Sequence, residues 1–254
     1  MRLRAAVHVH SDWSYDGSWE LHAIARLFDR LGYDAVLMCE HDRAWDAGTW
    51  DAYRDACARV EDGALIVPGI EYSDADNRIH VPVWGDVPFL GEGVPTAELL
   101  AGVREHGASA VFAHPARRRA AEVFDTAWAR DVVGVEWWNR KTDGYAPNPT
   151  AGRELAAHGA VPFASIDFHT ARQLLPLAMV LDSDRGRTAD GVYGALRARR
   201  CRAEAFGVPA LRFTSGRGLA ALQTAERARK GAASWVRRRR SAARGPAGRP
   251  RAAR

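Results

Sequence analysis

The chain has 254 residues, of which 47% are hydrophobic and 26% charged, a composition typical of one globular domain. No apolar run approaches the ~20 residues that span a bilayer, and the amino-terminal stretch MRLRAAVHVHS is too polar for a signal peptide. The three cysteines, Cys39, Cys57 and Cys201, are too scattered to build a disulfide framework. These features argue against a membrane-spanning or disulfide-stabilised protein, and we expect a cytoplasmic location.

The net charge of +5 is unevenly distributed along the chain. Residues 227–254 contain eleven Lys or Arg and no acid, so this segment carries +11 and the remainder −6. The segment is rich in Arg, Ala, Gly and Pro, and its low apolar content predicts a mostly disordered tail after a folded domain of residues 1–226. Such a tail either makes a weak nucleic-acid or other anionic contact or is simply solvated.

Short apolar runs alternate with amphipathic segments over the first 225 residues, which predicts an α/β fold with a parallel sheet. The strand candidates are 5–8, 35–39, 65–70, 80–84, 110–113, 132–137, 161–166 and 177–181. The helix candidates are 19–31, 50–60, 96–105, 151–157 and 189–199. The stretch 71–94 lacks helical periodicity and is predicted to hold a small hairpin with its loop.

Six of the nine histidines lie where an apolar run ends, and each has an acidic or histidine companion nearby. The motifs are HVH (His8, His10), EHD (His41), GIEYS (Glu71), IHVPVWG (His80), FAHP (His114) and DFH (Asp167, His169). Side chains alternate along a strand, so the His-Val-His spacing puts both imidazoles of the first motif on one face. Imidazoles and carboxylates collected at the ends of successive strands indicate a cluster of two or three divalent metals and, with it, hydrolysis.

Two features favour a TIM-like barrel over a doubly wound sheet. Functional residues of barrels lie at the carboxyl ends of the strands, which is where most of these histidines and acids fall. A doubly wound nucleotide-binding sheet would carry a glycine-rich turn after its first strand, whereas this chain has HSDWSYDG there.

Taken in order, HVHSDWSYDG, CEHD, PGIEYS with IHVPVWG, FAHP and SIDFH resemble the motifs of the PHP (polymerase and histidinol phosphatase) family, over residues 8–169. The resemblance implies a distorted (β/α)7 barrel, PHP-type and TIM-like, with two or three metals at the carboxyl ends of its strands. It implies nine ligands, which are His8, His10, Asp16, His41, Glu71, His80, His114, Asp167 and His169. Position 16 is histidine in some relatives, and this departure bears on the third metal.

The family pattern also implies a division of labour among these ligands. One metal would be held by His8, His10, Glu71 and Asp167, a second by Glu71, His80 and His114, and a third by Asp16, His41 and His169. We assign catalysis to Glu71, Asp167 and His169. Mixed imidazole and carboxylate ligands suit zinc, manganese or iron, and the absence of cysteine ligands argues against a structural zinc site.

Acids beside a ligand can accept a hydrogen bond from its imidazole and fix its tautomer. Glu40 and Asp42 flank His41, and we favour Asp42 for this role over a plain surface acid.

A phosphate ester needs a cation besides the metals, and guanidinium groups pair bidentately with phosphate oxygens. Arg117, after His114-Pro115, is the first choice for this contact, with Arg172 as a second location and Lys141 as a weaker candidate. Glu136 and Asn139 end another strand in GVEWWNRK, and Asn139 is a candidate to point a polar group at the substrate.

The sequence therefore predicts a metal-dependent phosphoesterase in which metal-bound hydroxide cleaves a phosphomonoester or phosphodiester of a small metabolite, a nucleotide or a short oligonucleotide. One alternative keeps the metal site and hydrolyses a carboxylic, carbamate or other non-phosphate ester. Another is a nucleic-acid-associated module that acts through its basic tail.

Overall fold

The structure, a computed structural model, describes residues 1–148 and 159–243, and of residues 236–238 and 240–243 it describes the backbone alone. Twelve strands in these ranges form two six-stranded sheets. The first sheet has the order β12-β11-β10-β1-β2-β4, with β1 (Arg2–Val9), β2 (Ala35–Met38), β4 (Leu65–Val67), β10 (Leu177–Asp182), β11 (Cys201–Ala205) and β12 (Val208–Pro209). The second has the order β3-β5-β6-β7-β8-β9, with β3 (Glu40–His41), β5 (Ile70–Ser73), β6 (His80–Trp84), β7 (Ser109–Phe112), β8 (Gly134–Asn139) and β9 (Val161–Ser165).

The sheets mix parallel and antiparallel pairs. Strands β1, β2 and β4 run parallel, as do β3 with β5, and β7, β8 and β9. Strand β6 is antiparallel to both neighbours, and β10, β11 and β12 are antiparallel in turn. The expectation of a parallel sheet is therefore wrong for these four strands. For β6 the reason is the short connection after Ser73, which permits a hairpin but is too short for a crossover to a parallel strand. The hairpin predicted in 71–94 is confirmed, since β5 and β6 form it.

Backbone hydrogen bonds link the two sheets beyond the ends of β9 and β1. Ile166 N–H donates to the carbonyl of Val7 (3.0 Å), and Phe168 N–H donates to that of His8 (2.9 Å). His10 N–H in turn donates to the carbonyl of Phe168 (2.9 Å). A single residue separates β2 from β3, and two separate β4 from β5. The sheets are therefore continuous through their strands, and the predicted strand 65–70 is divided at Pro68-Gly69.

Two apolar cores lie on opposite faces of these strands. One core takes side chains from both sheets, among them Leu3, Val7, Leu37, Val111 and Phe163. The other takes Ala6 and Val9 of β1 together with the buried faces of the outer helices. The period of two along a strand puts Leu3 and Val7 in one core and Ala6 in the other. Val9 lies in the same core as Ala6 because the register of β1 shifts between Val7 and Val9. Each fully buried large side chain contributes about 1.5–3 kcal/mol.

The helices are α1 (Leu21–Arg30), α2 (Ala47–Ala58), α3 (Thr96–Glu105), α4 (Arg140–Asp143), α5 (Ala189–Arg197) and α6 (Gly216–Ala243). Helix α1 buries Leu21, Ile24 and Phe28, a helical spacing that faces the strands. Helix α2 begins where the Asp46 side chain accepts from Thr49 N–H, an N-cap that stabilises its first turn. The helix predicted at 151–157 lies outside the described residues. The sequence did not predict the half-buried strand β11, because CRAEA has no large apolar side chain and carries charges at 202 and 204. No helix within 1–148 and 159–243 is long and apolar enough to cross a bilayer.

The sequence predicted a mostly disordered tail after residue 226. In the structure, helix α6 continues without a break through residue 227 to Ala243. Ala, Arg and Lys favour helices, which outweighs the low apolar content of this stretch. Residues 244–254 lie outside the described residues, and the division of the chain at residue 226 stays a prediction.

A buried carboxylate fastens α6 to the rest of the fold. Glu226 is 6% exposed, accepts from Tyr145 N–H (3.1 Å) and pairs with Arg229 at 2.6 Å. Gly144 has φ +85°, and a Cβ there would lie 2.5 Å from the Glu226 carboxylate. Only glycine fits this position, so the loop after β8 and helix α6 are matched to each other.

We expect Glu226→Gln to lower the free energy of unfolding by about 1–3 kcal/mol at pH 7, because the amide loses the charge that pairs with Arg229. The hydrogen bonds from Arg229 lower the pKa of Glu226 to about 2. The carboxylate's contribution is therefore complete above the unfolded-state pKa of about 4.3 and is lost as the pH falls towards 2. Urea unfolding at pH 7 and pH 3 should give a smaller difference between the two proteins at pH 3, and an equal difference would contradict this account.

Candidate metal centre

All nine predicted ligands meet at one end of the strands. They come from β1 and its following loop, from β3, β5 and β6, and from the segments after β7 and β9, as His8, His10, Asp16, His41, Glu71, His80, His114, Asp167 and His169. The sequence pattern placed each histidine where an apolar run ends, whereas His80 is the first residue of its strand. Because β6 runs antiparallel to β5, its first residue pairs with Ser73 at the carboxyl end of β5 and so reaches the same edge.

The carboxylate of Glu71 lies at the centre of this cluster and is only 1% exposed. Imidazole nitrogens surround its two oxygens at 2.7 Å (His80), 3.0 Å (His114), 3.1 Å (His41), 3.3 Å (His8) and 3.7 Å (His10). The first, second and fourth of these approach Oε1, and the others approach Oε2. Each carboxylate oxygen therefore faces a different group of histidines, which is the arrangement that a bridging ligand requires.

The ligand atoms fall into groups whose members lie within 4.8 Å of one another. Three of these groups are Glu71 with His80 and His114, Glu71 with His8 and His10, and Asp16 with His10, His41 and His169. Asp167 Oδ1 approaches the second group, 3.7 Å from Nε2 of His10 and 3.8 Å from that of His8. The groups overlap the division of ligands that the family resemblance implies, with His10 belonging to two of them.

Three members of the cluster have backbone angles that L-residues rarely adopt. His8 has φ +65°, Asp167 has φ +51° and His114 has φ +27°. The register between β1 and β2 shifts between Val7 and Val9, so His8 occupies an irregularity in its strand. Strain of this kind persists only where the surrounding structure enforces it, and it concentrates at functional sites.

Buried carboxylates in the cluster are held ionised by their neighbours. Burial alone would raise the pKa of Glu71, but the charges of His80 and His8 hold it well below its usual value. Burial likewise opposes the ionisation of Asp167, yet the charges of His8 and Lys141 lower its pKa to about 2. Buried anions at neutral pH require cations close by, and the carboxylates of this cluster therefore favour the binding of positive charge.

The imidazoles do not all titrate alike. Burial alone would lower the pKa of His41, but the neighbouring carboxylates of Asp16 and Glu71 raise it to about 10. For His10, burial and the charges of His169 and His41 act together and lower the pKa well below its usual value. A neutral His10 keeps a nitrogen lone pair available to a metal ion.

Unpaired nitrogen atoms show that the cluster fits divalent cations. Among the described residues, Nε2 of His8, Nε2 of His10, Nε2 of His41 and Nδ1 of His114 are buried without a hydrogen bond of good geometry. Buried polar atoms are normally paired, so such orphans in a pocket of carboxylates indicate atoms that ligate. Nitrogen and oxygen donors without thiolates suit zinc, manganese or iron.

Glu136 is a member of the site to which the sequence pattern assigned no role. Its Oε1 lies 2.7 Å from Nδ1 of His8, while Oε2 accepts from His114 N–H (2.9 Å) and from the Asn139 amide (2.8 Å). A carboxylate behind an imidazole fixes the tautomer, so Nε2 of His8 is left facing Glu71. The available signal was a single acid within the otherwise largely apolar strand GVEWWN.

Glu40 supports the opposite side of the cluster through two serines. Its fully buried carboxylate accepts from Ser11 N–H (3.0 Å), from Ser11 Oγ (2.7 Å) and from Ser14 Oγ (2.5 Å). Ser14 Oγ also lies 3.3 Å from Nδ1 of His10 and accepts from His41 N–H at 3.0 Å. Glu40 therefore positions two ligands indirectly.

The role predicted for Asp42 is wrong. Its Oδ2 accepts from the backbone N–H groups of Ser73 (3.3 Å) and Gly93 (3.4 Å), and within the described residues it contacts no ligand imidazole. Burial raises the pKa of Asp42 to about 6. Asp42 follows strand β3, so its side chain points to the neighbouring loops instead of the cluster.

Asn139 is not free to bind substrate, contrary to expectation. Its amide donates to Asp167 Oδ2 (3.2 Å) as well as to Glu136, and its Oδ1 accepts from Thr142 N–H (2.9 Å). Asn139 is the N-cap of helix α4 and is fully buried. The side chain therefore positions Asp167.

The basic candidates divide between the site and the surface. Arg117 Nη1 lies 2.9 Å from Nε2 of His80, and Lys141 Nζ lies 3.0 Å from Nε2 of His169. Both line a cavity of about 80 Å³ that opens onto the cluster. Arg172 is exposed and is not among the described residues that line this cavity, so the structure gives no support to its assignment to the substrate. A larger groove of about 500 Å³, lined by residues such as Glu20, lies elsewhere on the surface.

We expect Glu136→Gln to weaken metal binding by about 10-fold to 100-fold, because the neutral amide no longer holds His8 Nδ1–H in place. Asp42→Asn is the matched control, since this acid contacts only backbone N–H groups and its loss should change metal affinity little. Titration of the metal-free proteins with Mn²⁺ or Zn²⁺ measures the metal affinity of both variants. A larger effect from Asp42→Asn than from Glu136→Gln would contradict this assignment.

The sequence matches no protein-family model, and no curated protein matches it significantly. Solved structures do match. A two-domain protein containing a predicted PHP-like metal-dependent phosphoesterase from Bacteroides vulgatus is 20% identical, with a TM-score of 0.61 over 81% of this chain and 65% of that one. PsfC from Pseudomonas syringae is 18% identical, with a TM-score of 0.62 over 89% of this chain and 98% of that one.

The lesion-specific endonuclease PfuEndoQ from Pyrococcus furiosus is 13% identical, with a TM-score of 0.54 over 78% of this chain and 56% of that one. The chain thus spans less than two thirds of the length of the Bacteroides and Pyrococcus proteins. At these identities the similarity is one of fold. It confirms the resemblance that the motifs indicated: the chain has a mixed α/β fold shared with PHP-like structures.

Proposed function

We propose that this chain is a metal-dependent phosphoesterase, a hydrolase acting on a phosphate ester of a small metabolite, a nucleotide or a short oligonucleotide. The observation that carries the proposal is the Glu71 carboxylate, surrounded by imidazoles beneath a cavity lined by Arg117 and Lys141. Ionised carboxylates, orphan imidazole nitrogens and cationic side chains in one cavity are what the hydrolysis of an anionic ester needs.

Two or three divalent cations, Mn²⁺, Zn²⁺ or Fe²⁺, would be held by the three groups of ligands, with Glu71 shared between two of them. When bound, such cations polarise phosphoryl oxygens and lower the pKa of water towards neutrality. The protein's own part is to hold Asp167 and His8 in place through Asn139 and Glu136, so that the ligands need no rearrangement. Arg117 would pair with a phosphate oxygen at the mouth of the site.

The two sheets together are best interpreted as the distorted barrel that the sequence predicts. Supporting this interpretation, Ile166 and Phe168 donate to the backbone of β1, and one apolar core draws its side chains from both sheets. A seven-strand circuit would run from β1 through β2/β3, β4/β5, β6, β7 and β8 to β9 and back. Such a circuit brings all nine ligands to one rim, as in barrel enzymes.

The similar structures add support for a hydrolase and leave the substrate open. One is described as containing a metal-dependent phosphoesterase and another as a lesion-specific endonuclease. Hydrolysis of non-phosphate esters is the alternative that keeps the same metal site. The cations Arg117 and Lys141 in the cavity favour an anionic substrate over it.

We expect His8→Ala and Asp167→Ala each to lose bound metal and activity, because both residues contact the Glu71 group. Metal content and turnover of p-nitrophenyl phosphate, its bis-ester and p-nitrophenyl acetate are the measurements. His22→Ala is the control, since its imidazole is exposed and pairs with Glu20. Full activity in either cluster variant would show that the site is misassigned, and turnover of the acetate alone would favour the alternative function.

A second candidate function, binding of nucleic acid, is favoured by helix α6. Arg217, Arg227, Lys230 and Arg239 are exposed on it, and Glu226 is its single acid. Exposed Trp235 packs under the Arg239 guanidinium at 4.1 Å.

We expect neutralisation of residues 237–240 by Arg→Gln to weaken binding of single-stranded DNA, because fewer phosphates are neutralised by the helix. The slope of log affinity against log salt concentration should become shallower by about 0.7 for each phosphate that the variant no longer neutralises. Fluorescence anisotropy at several salt concentrations measures this, with phosphatase activity as the control. Salt-independent or unchanged binding would contradict a role for the helix.

A further inference from the structure

Two cationic side chains lie on different sides of the ligand cluster. Arg117 lies beside His80, in the group that contains Glu71 and His114, whereas Lys141 lies beside His169. Lys141 Nζ is also 3.3 Å from Asp167 Oδ1. Both side chains line the same small cavity, so an anion seated over the cluster would meet a positive charge on either side.

A second cavity of about 260 Å³ adjoins the first. Apart from the predicted metal ligands, the charged side chains that line the first cavity are Arg117 and Lys141, whereas those that line the second are mostly acidic. The two share Tyr15, His41 and His80 as walls. The second is lined by three carboxylates and one guanidinium, which are Asp42, Asp74, Glu92 and Arg43. Once the predicted ligands are set aside for metal ions, the remaining charged side chains are therefore cationic over the cluster and mostly acidic beyond it.

The carboxylates of the second cavity are fixed in place by the backbone. Glu92 accepts from Ala44 N–H at 2.9 Å, and Asp74 accepts from Ile79 N–H at 3.0 Å. Asp42 accepts from the loop at Gly93. None of the three forms an ion pair with a Lys or Arg within the described residues, so their charge is left facing whatever enters.

Tyr15 lines both cavities, at the boundary between them. Its side chain is 67% exposed, its ring stacks on the His41 imidazole at 5.0 Å, and the Arg43 guanidinium lies 5.5 Å from the ring centroid. A substrate with its phosphate over the cluster would extend its organic group past this ring into the acidic cavity. A second anion on that group would meet carboxylates that repel it.

We propose that the substrate is a phosphomonoester whose dianionic phosphate is paired with Arg117 and Lys141, and whose organic group carries no second anion. This inference rests on the proposed function and narrows it. A phosphodiester offers a single charge to the two cations, and a nucleic-acid strand would place its next phosphate among Asp42, Asp74 and Glu92. Lys141 thereby becomes a substrate-binding residue that selects the ester class.

The first test compares glycerol 1-phosphate with 3-phosphoglycerate, in which a carboxylate replaces the terminal hydroxymethyl group. We expect kcat/KM to be at least about 10-fold higher for glycerol 1-phosphate. Glu92→Gln, whose amide oxygen can still accept from Ala44 N–H, should bring the kcat/KM values of the two esters closer together. Equal rates for the two esters in the wild-type protein would overturn the inference about the acidic cavity.

The second test concerns Lys141 in the metal-loaded protein. We expect Lys141→Met to weaken binding of inorganic phosphate, measured by calorimetry, and to lower kcat/KM for glycerol 1-phosphate, each by about 10-fold to 100-fold. The variant should keep its metal content, Lys141→Arg should retain part of the affinity, and exposed Arg172→Gln should change neither quantity.

The failure of this inference is distinguishable from that of the proposed function. An equal loss of monoesterase and of bis-p-nitrophenyl phosphate turnover in Lys141→Met, or unchanged phosphate binding, would overturn the role of Lys141. Absence of phosphate release from every ester, with phosphate still bound through Lys141, would instead contradict the phosphoesterase assignment.

Discussion

The buried carboxylate of Glu71 is the constraint around which the rest of the structure is arranged. A carboxylate that is almost fully removed from water is stable only if cations or strong hydrogen-bond donors replace its hydration. Here five imidazoles lie within 2.7–3.7 Å of the carboxylate, and two of them, His80 and His114, are at hydrogen-bond distance with good geometry. These imidazoles come from four parts of the chain, with His8 and His10 both at the end of β1. The position of one carboxylate is therefore tied to how several strands begin or end.

The fold meets this requirement by bending its strands where they end. His8, His114 and Asp167 all have positive φ, and the register of β1 shifts at His8. Regular strands would alternate these side chains between core and outside, whereas the irregularities turn them towards Glu71. The antiparallel direction of β6 contributes His80 from the opposite end of a strand. Local strain is thus balanced by the contacts among the ligands.

Behind the ligands lies a layer of groups that hold them. Glu136 fixes His8, Asn139 fixes Asp167, and Glu40 reaches His10 through Ser14. The charge pattern continues outwards from there, with cations at the cluster and carboxylates in the neighbouring cavity. Binding at such a site depends on this whole electrostatic gradient as well as on the ligand atoms.

The sequence by itself determined the strands and helices with strong periodicity, and the identity of the nine clustered residues. Strand 80–84 and helix 96–105 match the structure residue for residue, because their apolar spacing is unambiguous. The ligands could be recognised because their residue types carry their chemistry wherever the backbone takes them.

Only the tertiary structure decided what the remaining polar residues do. Asp42 and Arg172 lie close to ligands in sequence, and Asn139 ends a strand. Yet Asp42 accepts from backbone N–H groups, Asn139 positions Asp167, and Arg172 faces solvent. Glu136 and Lys141 belong to the site because β8 and helix α4 bring them there from a distant part of the chain. Hydrogen bonds and ion pairs depend on distances of a few tenths of an ångström between segments far apart in sequence, and a pattern of residue types contains no such distances.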